Sequence, residues 1–586
     1  MKRENADHLL LLSRQVGGNS SSNKNFFERD WSLAWMNFLF QEVGCYAFLP
    51  IESFQMRTLG EYRFIYLPHS LAGELKNSFV SSSKSYVESG GTLILEGPVA
   101  NSLPFSGIRF HPNKDQVFKR ISRIEEMFSP HPLKASFSQM PFHTLGWEIQ
   151  MLPKDTEIIL EMENKPVLFE SAFGQGAIFS LGFDFGLFLV GLQQGVPAQG
   201  QYRLKKLFGT QNRVVEPEDL VLKASLLDNP IPWADLFEKF LFKIITSGRP
   251  APRWWYFPSD YTGAFISTHD EEVVGPDPRL KAMCDTEKSL GIRGNLFVIS
   301  DCKLDQRWEG DDSLRKWARG QGPEIGLHWN RFQKYRLKIR RFRFGMHEDP
   351  LNTQVELLKK EVGRDIRINR THYLAMGSVY DEHFKSLADE KIFFDSTYGP
   401  NQGGRGYLFG TGYPYFGFTW NGANSDVLEL PFVTQETWGK ADLSFLKQLI
   451  TESDENFHQC LVMNFHPHYR VLEEKGRGMW LGALNFAKER GQWMPTLGEF
   501  FKFCTKRNQS IFHSRWDDSI LKVTVESVSA DLALSFPYRI SESRSLVSVE
   551  INGRRENFCK ILNGWFEEAF VAIPQGTHEI RVVYET

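Results

Sequence analysis

Four short apolar runs between residues 264 and 468 each end in charged or metal-ligating side chains. Ala264-Phe265-Ile266 runs into Thr268-His269-Asp270-Glu271-Glu272, and Glu324-Ile325-Gly326-Leu327 runs into His328-Trp329-Asn330. Asn369-Arg370-Thr371-His372-Tyr373 is the third, and Leu461-Val462-Met463-Asn464-Phe465-His466-Pro467-His468 the fourth. Runs this short and apolar read as strands buried on both faces, which belong to parallel sheets covered by helices. In open and barrel α/β folds, reacting groups collect at the carboxyl ends of such strands. A single acidic strand end reads equally well as a solvated turn, and a lone His as a hydrogen-bonding structural residue. Four such ends in one stretch of chain point to a site.

At 586 residues the chain exceeds one ordinary core, and length alone suggests about three or four domains. Residues 1–200 alternate strand and helix patterns. Leu9–Leu12 and Phe64–Leu67 are strand candidates, Phe26–Val43 has helical apolar spacing, and Gly73–Ser89 is a helix stopped by Gly90-Gly91. Thr92–Glu96 is the next strand, and the order predicts a parallel sheet with right-handed crossovers. Residues 201–253 read as a helical linker that ends in Arg249-Pro250-Ala251-Pro252-Arg253, and residues 254–508 as the second α/β domain. Residues 515–586 switch to period-two alternation, with Asn552-Gly553 as a hairpin turn, and predict a small antiparallel β-sandwich.

Composition narrows the function. A hydrophobic fraction of 41% and a charged fraction of 24% are those of a soluble globular protein. A net charge of −3 argues against a polyanion binder, so no nucleic-acid partner is expected. No stretch approaches the ~20 apolar residues of a membrane span, and the amino-terminal apolar run is too short for a secretion signal, so a cytoplasmic location is expected. The six cysteines are scattered without a CxxC pair and read as free, mostly buried thiols. Aromatics at 14% fit bulky cores, or rings lining a sugar cleft. The basic run Lys334–Arg343 reads as a solvated edge strand or an anion contact, and the glycine-rich stretch 403–416 as a loop without phosphate-loop features.

Two resemblances sharpen these expectations. Tyr66-Leu67-Pro68-His69-Ser70-Leu71, Tyr86–Ile94 and Phe173–Asp184 resemble the glutamine-amidotransferase-like, flavodoxin-type domain in the middle of some β-galactosidases. Working amidotransferases need a nucleophilic Cys, and residues 46–283 contain none, so a packing or accessory role is expected for residues 1–200.

Ala264 to about Phe503 resembles the polysaccharide deacetylase domain (NodB homology, carbohydrate esterase family 4). This implies a distorted (β/α) barrel and metal-dependent removal of acetyl groups from an N-acetylated sugar, with a carbohydrate as partner. Matched to the family's Thr-Phe-Asp-Asp-Gly motif, Asp270 becomes the catalytic base and Glu271 a metal ligand. Glu324–His328 makes His328 a metal ligand. Arg370–Tyr373 makes Arg370 the partner of the base, and Val462–His466 makes His466 the general acid. Phe332 stands where the family has its second metal His. His372, in place of the motif's Pro, would supply that nitrogen, with His347 as the other candidate. The implied cofactor is a divalent metal, zinc being the expected ion. The alternatives are a glycan-binding scaffold that does not hydrolyse, and glycosidase chemistry on carboxylates such as Asp270 and Glu429.

Overall fold

The computed structural model describes residues 6–13, 26–54, 56–124, 137, 139–197, 215–271, 278–300, 314–319, 322–331, 333–335, 343–345, 350–376, 382–401, 404–435, 442–467, 474–541, 543–564 and 566–585. Glu272, Phe332, His347, His468 and most of the basic run 334–343 lie outside these residues or have no described side chain.

The amino-terminal part is built on an eight-stranded sheet. Its strands are β1 (His8–Leu12), β2 (Ala47–Pro50), β3 (Phe64–Leu67), β4 (Thr92–Glu96), β5 (Ile121–Ile124), β6 (Glu157–Met162), β7 (Lys165–Phe173) and β8 (Gly176–Leu181). The order is β2-β1-β3-β4-β8-β7-β6-β5, with β2, β1, β3, β4 and β8 parallel. That parallel half has the strand order of flavodoxin-type sheets. Helix α1 (Asn77–Glu88) is the β3–β4 crossover, and α2 (Phe185–Gln193) follows β8. The expected helix at Phe26–Val43 is less regular: a separate 3-10 turn at Phe26–Glu28, then continuous helical turns from Ser32 to Val43 that tighten and widen along their length. Gly44, at φ 81°, ends it.

Helix α3 (Trp233–Ile245) and strand β9 (Arg253–Trp254) lead into the middle sheet. Its strands are β10 (Ala264–Glu271), β11 (Asn295–Val298), β12 (Glu324–Trp329), β13 (Ile368–Thr371), β14 (Phe394–Asp395), β15 (Tyr415–Phe418), β16 (Asn424–Glu429), β17 (Phe432–Gln435) and β18 (Cys460–Asn464). They form a curled half-barrel sheet of order β15-β16-β14-β13-β12-β11-β10-β18-β17, parallel except for β15. Helix α4 (Pro278–Ser289) follows β10, and α5 (Glu382–Asp389) precedes β14. The last helix of this part, α6 (Leu497–Gln509), starts at a reciprocal cap. Thr496 Oγ1 accepts from the Glu499 amide at 3.2 Å, and Glu499 Oε2 accepts from the Thr496 amide at 2.9 Å.

The carboxyl-terminal part holds two antiparallel sheets. One pairs Ile511–Asp517, Ile520–Ser527, Gly576–Glu585, Ser545–Ile551 and Arg554–Glu556 in that spatial order. In Ile520–Ser527 buried and exposed residues alternate, as the period-two pattern requires. Asn552 and Gly553, at φ 51° and 80°, form the hairpin turn read from the sequence. The other sheet contains Ala533–Pro537, Phe566–Ala572 and Cys559–Asn563, and its fourth strand is β9 from the linker. Arg253 of β9 bonds Glu42 and Glu568, each at 2.5 Å, tying the three parts of the chain together. Cys45, Cys460 and Cys504 are buried free thiols.

Candidate active site at the carboxyl edge of the middle sheet

All eight residues of β10 are buried, and its last four are polar, so each needs partners in place of water. Strand register supplies them for Asp270. Thr268 pairs with Asn464 across the parallel β10–β18 ladder, and two residues further on Asp270 comes level with His466. His466 Nε2 lies 3.6 Å from Asp270 Oδ2, and the Asn464 side-chain amide donates to that oxygen at 2.7 Å. From the far side of the curled sheet, Arg370 Nη1 donates to Asp270 Oδ1 at 3.2 Å.

Arg370 is itself held on every side. It donates to Thr268 Oγ1 at 2.7 Å, to the Ser396 carbonyl at 2.8 Å and to Ser396 Oγ at 3.0 Å. Its guanidinium lies 4.6 and 4.7 Å from the ring centres of Phe297 and Phe432. Burial alone would raise the Asp270 pKa. The charges of Arg370, His328 and His466, with the Asn464 bond, outweigh burial and hold the carboxyl below its ordinary range. Asp270 is therefore a carboxylate at neutral pH.

The two candidate nitrogen ligands stand next to this group. His328 pairs with Arg370 in the β12–β13 register, and its Nδ1 donates to the Arg370 carbonyl at 2.8 Å. His372 Nδ1 donates to Asn330 Oδ1 at 2.9 Å. A carbonyl oxygen only accepts, so each ring holds a proton on Nδ1, which leaves Nε2 as the nitrogen a neutral ring would offer to a metal ion. The ring centres are 5.0 Å apart. Tyr373 stacks on His372 at 4.1 Å and is 38% exposed. Tyr373 and Leu374 have φ of 55° and 53°. Left-handed backbone at two successive non-glycine residues costs about 1–3 kcal/mol each and marks a constrained rim.

Glu271 follows Asp270 as the last residue of β10 and is buried like it. Before them, His269 bonds Glu287 of α4 at 2.9 Å. Asp270, Arg370 and His466 form one charged group, with His328 and His372 beside it. The two histidines suit a divalent cation of the zinc type. Among the described residues, though, ligand atoms of three His, Cys, Asp or Glu side chains lie within 4.8 Å of one another at His69, Glu96 and Asp184, in the first sheet.

Glu429 ends β16, two strands from Arg370, and its charge acts on that guanidinium. Its Oε1 accepts from the Tyr398 amide at 2.9 Å, and burial together with neighbouring Asp395 pushes its pKa well above the ordinary range. Asp395 in turn bonds His383 Nε2 at 2.5 Å. The Tyr398 hydrogen bond thus ties Glu429 to the end of β14.

Sequence reasoning missed Asn464, Thr268, Ser396 and Asn330 as supporting residues. Asn464 carried a usable signal, since it stands two residues before His466 and so shares its face. Thr268, two before Asp270, and Asn330, two after His328, carried the same signal, whereas Ser396 is recruited across the sheet and leaves no local mark.

No protein-family model and no curated protein matches the chain. Solved structures share parts of it. A candidate polysaccharide deacetylase from Mycobacterium smegmatis is 16% identical over 44% of this chain and 93% of its own, with a TM-score of 0.29. A cytoplasmic protein from Salmonella typhimurium LT2 is 12% identical over 30% of this chain and 88% of its own, with a TM-score of 0.23. A β-galactosidase from Bacillus circulans sp. alkalophilus is 14% identical over 32% of this chain, with a TM-score of 0.24, and the match spans 30% of that enzyme. No helix among the described residues is long and apolar enough to cross a membrane.

Proposed function

We propose that the Asp270 site removes acetyl groups from an N-acetylated sugar in a glycan or glycan precursor. The observation that carries this reading is the buried, ionised Asp270 held between Arg370 and His466. Arg370 fixes Oδ1 and keeps the carboxyl deprotonated, so Oδ2 is the oxygen that accepts the proton of the attacking water. Asn464 holds that oxygen in place. His466, protonated on Nε2 after its exchange with Asp270, gives a proton to the leaving amine nitrogen. Tyr373 offers a ring face to the sugar at the rim. A bound divalent cation, zinc by expectation, would polarise the acetamide carbonyl and acidify water, with His328 and His372 as its nitrogen ligands and Glu271 as the carboxylate assigned by resemblance.

The test is acetate release from a panel of N-acetylated oligosaccharides by the full chain supplied with zinc. Asp270→Asn is expected to lower the rate about 10²–10⁴-fold. Activity retained in that variant removes Asp270 from the mechanism. Among the described residues the three-ligand cluster lies at His69, Glu96 and Asp184 and not at His328 and His372, which favours a second reading, a glycan-binding module without hydrolysis. Saturable oligosaccharide binding with no acetate release by the zinc-supplied wild type would select it.

A further inference from the structure

The first sheet has its own cluster of chemistry-bearing side chains at the carboxyl ends of its parallel strands. His69 follows β3, Glu96 is the last residue of β4, and Asp184 follows β8. Sheet topology brings them together, because β3, β4 and β8 are neighbours in that order. We propose that this edge binds a divalent transition metal ion of the zinc class through His69 Nε2 and Asp184 Oδ2, with Glu96 orienting the imidazole and Asp30 Oδ1, 3.8 Å from that nitrogen, closing in as the third ligand.

Ring orientation is the first argument. Glu96 Oε2 accepts from His69 Nδ1 at 3.0 Å and from the His69 amide at 3.0 Å, while Oε1 accepts from the Phe185 amide at 2.7 Å. A carboxylate held on Nδ1 leaves Nε2 as the donor nitrogen, which is the usual support for a metal-bound His. Nε2 lies 3.8 Å from Asp30 Oδ1 and 4.0 Å from Asp184 Oδ2. Both spacings are too long for hydrogen bonds. They approach the ~3.3 Å between ligand atoms around a tetrahedral ion at ~2.0 Å. Asp184 is prepared in the same way. Its Oδ1 caps α2 by accepting from the Leu187 amide at 2.8 Å, which points Oδ2 at the cluster.

Charge is the second argument. Asp30, Glu96 and Asp184 face Lys114 and His69, so even with a protonated ring three negative charges meet two positive ones. A dication in place of the ring proton brings the group to neutrality with Lys114 in place, and leaves one negative charge once Lys114 withdraws. Lys114 Nζ, 2.7 Å from Asp184 Oδ2, is the competing cation. Its flexible, partly exposed stem lets it swing into solvent.

A closed ion network without metal is the competing account, and Lys114 separates the two. The experiment titrates zinc, and cobalt(II) as a visible-absorbing probe, into the full chain carrying His328→Ala and His372→Ala, which removes the other candidate metal site. One equivalent is expected to bind. His69→Ala should abolish it, Asp30→Ala should weaken it about 10–100-fold, and Lys114→Met should tighten it several-fold. Absence of saturable binding up to millimolar metal overturns the proposal, as does unchanged affinity in His69→Ala. Should His69→Ala fail to fold, Asp30→Ala at its partly exposed position decides, and unchanged affinity there also overturns it. The outcome is independent of acetate release at Asp270.

Discussion

Arg370 Nη1 lies 3.2 Å from Asp270 Oδ1 in an ion pair almost sealed from solvent. Two strands on either side of β11 and β12 supply the partners, so the curl of the sheet creates the pair. Removing one member of a buried pair strands the other charge and costs about 3–5 kcal/mol. Arg370→Met is therefore expected to destabilise the protein by that amount, read as a lower urea midpoint. Arg370→Lys should recover part of the loss. A midpoint shift under about 1 kcal/mol would mean that the pair is screened by water.

Asp270 also shapes the pH profile of the proposed reaction. Its folded pKa is depressed, so the carboxylate persists well below neutral pH. The ionised form is present above the folded pKa and is lost as pH falls through it. The acidic limb of the acetate-release rate should lie below the ordinary Asp value of about 3.9, and Asn464→Ala should move it upward. An acidic limb near 6 in the wild type would assign it to a different group.

Each of His328→Ala and His372→Ala should reduce zinc retained by this site to a minor fraction. Asn330→Ala, which frees the His372 ring to rotate, should weaken zinc about 10–100-fold. The measurement is metal content after dialysis in a His69→Ala background. Full occupancy in His328→Ala would exclude that residue as a ligand.

Gly326 sits on β12, between β11 and β13. A Cβ there would meet the Phe297 ring at 2.9 Å and the Ile368 carbonyl at 3.1 Å. Phe297 is also one of the two rings that enclose Arg370. Gly326→Ala should cost about 1–3 kcal/mol and displace Arg370, lowering activity with it. Unchanged stability and rate would show that the Phe297 ring gives way freely.

His8 gives the first sheet an acid sensitivity. Its ring stacks on Phe64 at 4.7 Å and is fully buried, and burial above all lowers its pKa to about 3. The unfolded chain, with a pKa near 6.5, takes up the proton first. Stability from this residue is present above about pH 6.5 and is lost as pH falls toward 3, by about 2 kcal/mol at pH 5. His8→Phe keeps the stack and should lose less stability than wild type between pH 7 and pH 5 in urea unfolding. Equal losses in the two proteins would rule out His8 as the source.

Much of this was legible in the residues. The runs at 264, 325 and 461 are strands because each is short, largely apolar and ends in polar residues, whereas the strand at Ile368–Thr371 has one apolar residue and is buried through its partners. The hairpin at Asn552-Gly553 was legible for a local reason, since two successive positive φ angles favour those residues. Ser396 was not legible: it reaches Arg370 from the end of β14, and no spacing near Arg370 announces it.

The metal-like cluster at His69, Glu96 and Asp184 was even less visible. Its members are spread over more than a hundred residues, and each alone is an ordinary strand-end side chain. Likewise β9 reads as the end of a linker, yet it pairs with Ala533–Pro537.

The sequence by itself determined the elements, the strand ends that carry chemistry, and the presence of Asp270, Arg370, His328, His372 and His466 at those ends. Those features follow from local periodicity and backbone preference, which a short window contains. Only the tertiary structure decided which ends meet, and that Arg370 and His466 both reach Asp270. Strand order, register and sheet curl are properties of pairing between distant segments, and no local stretch of residues encodes them.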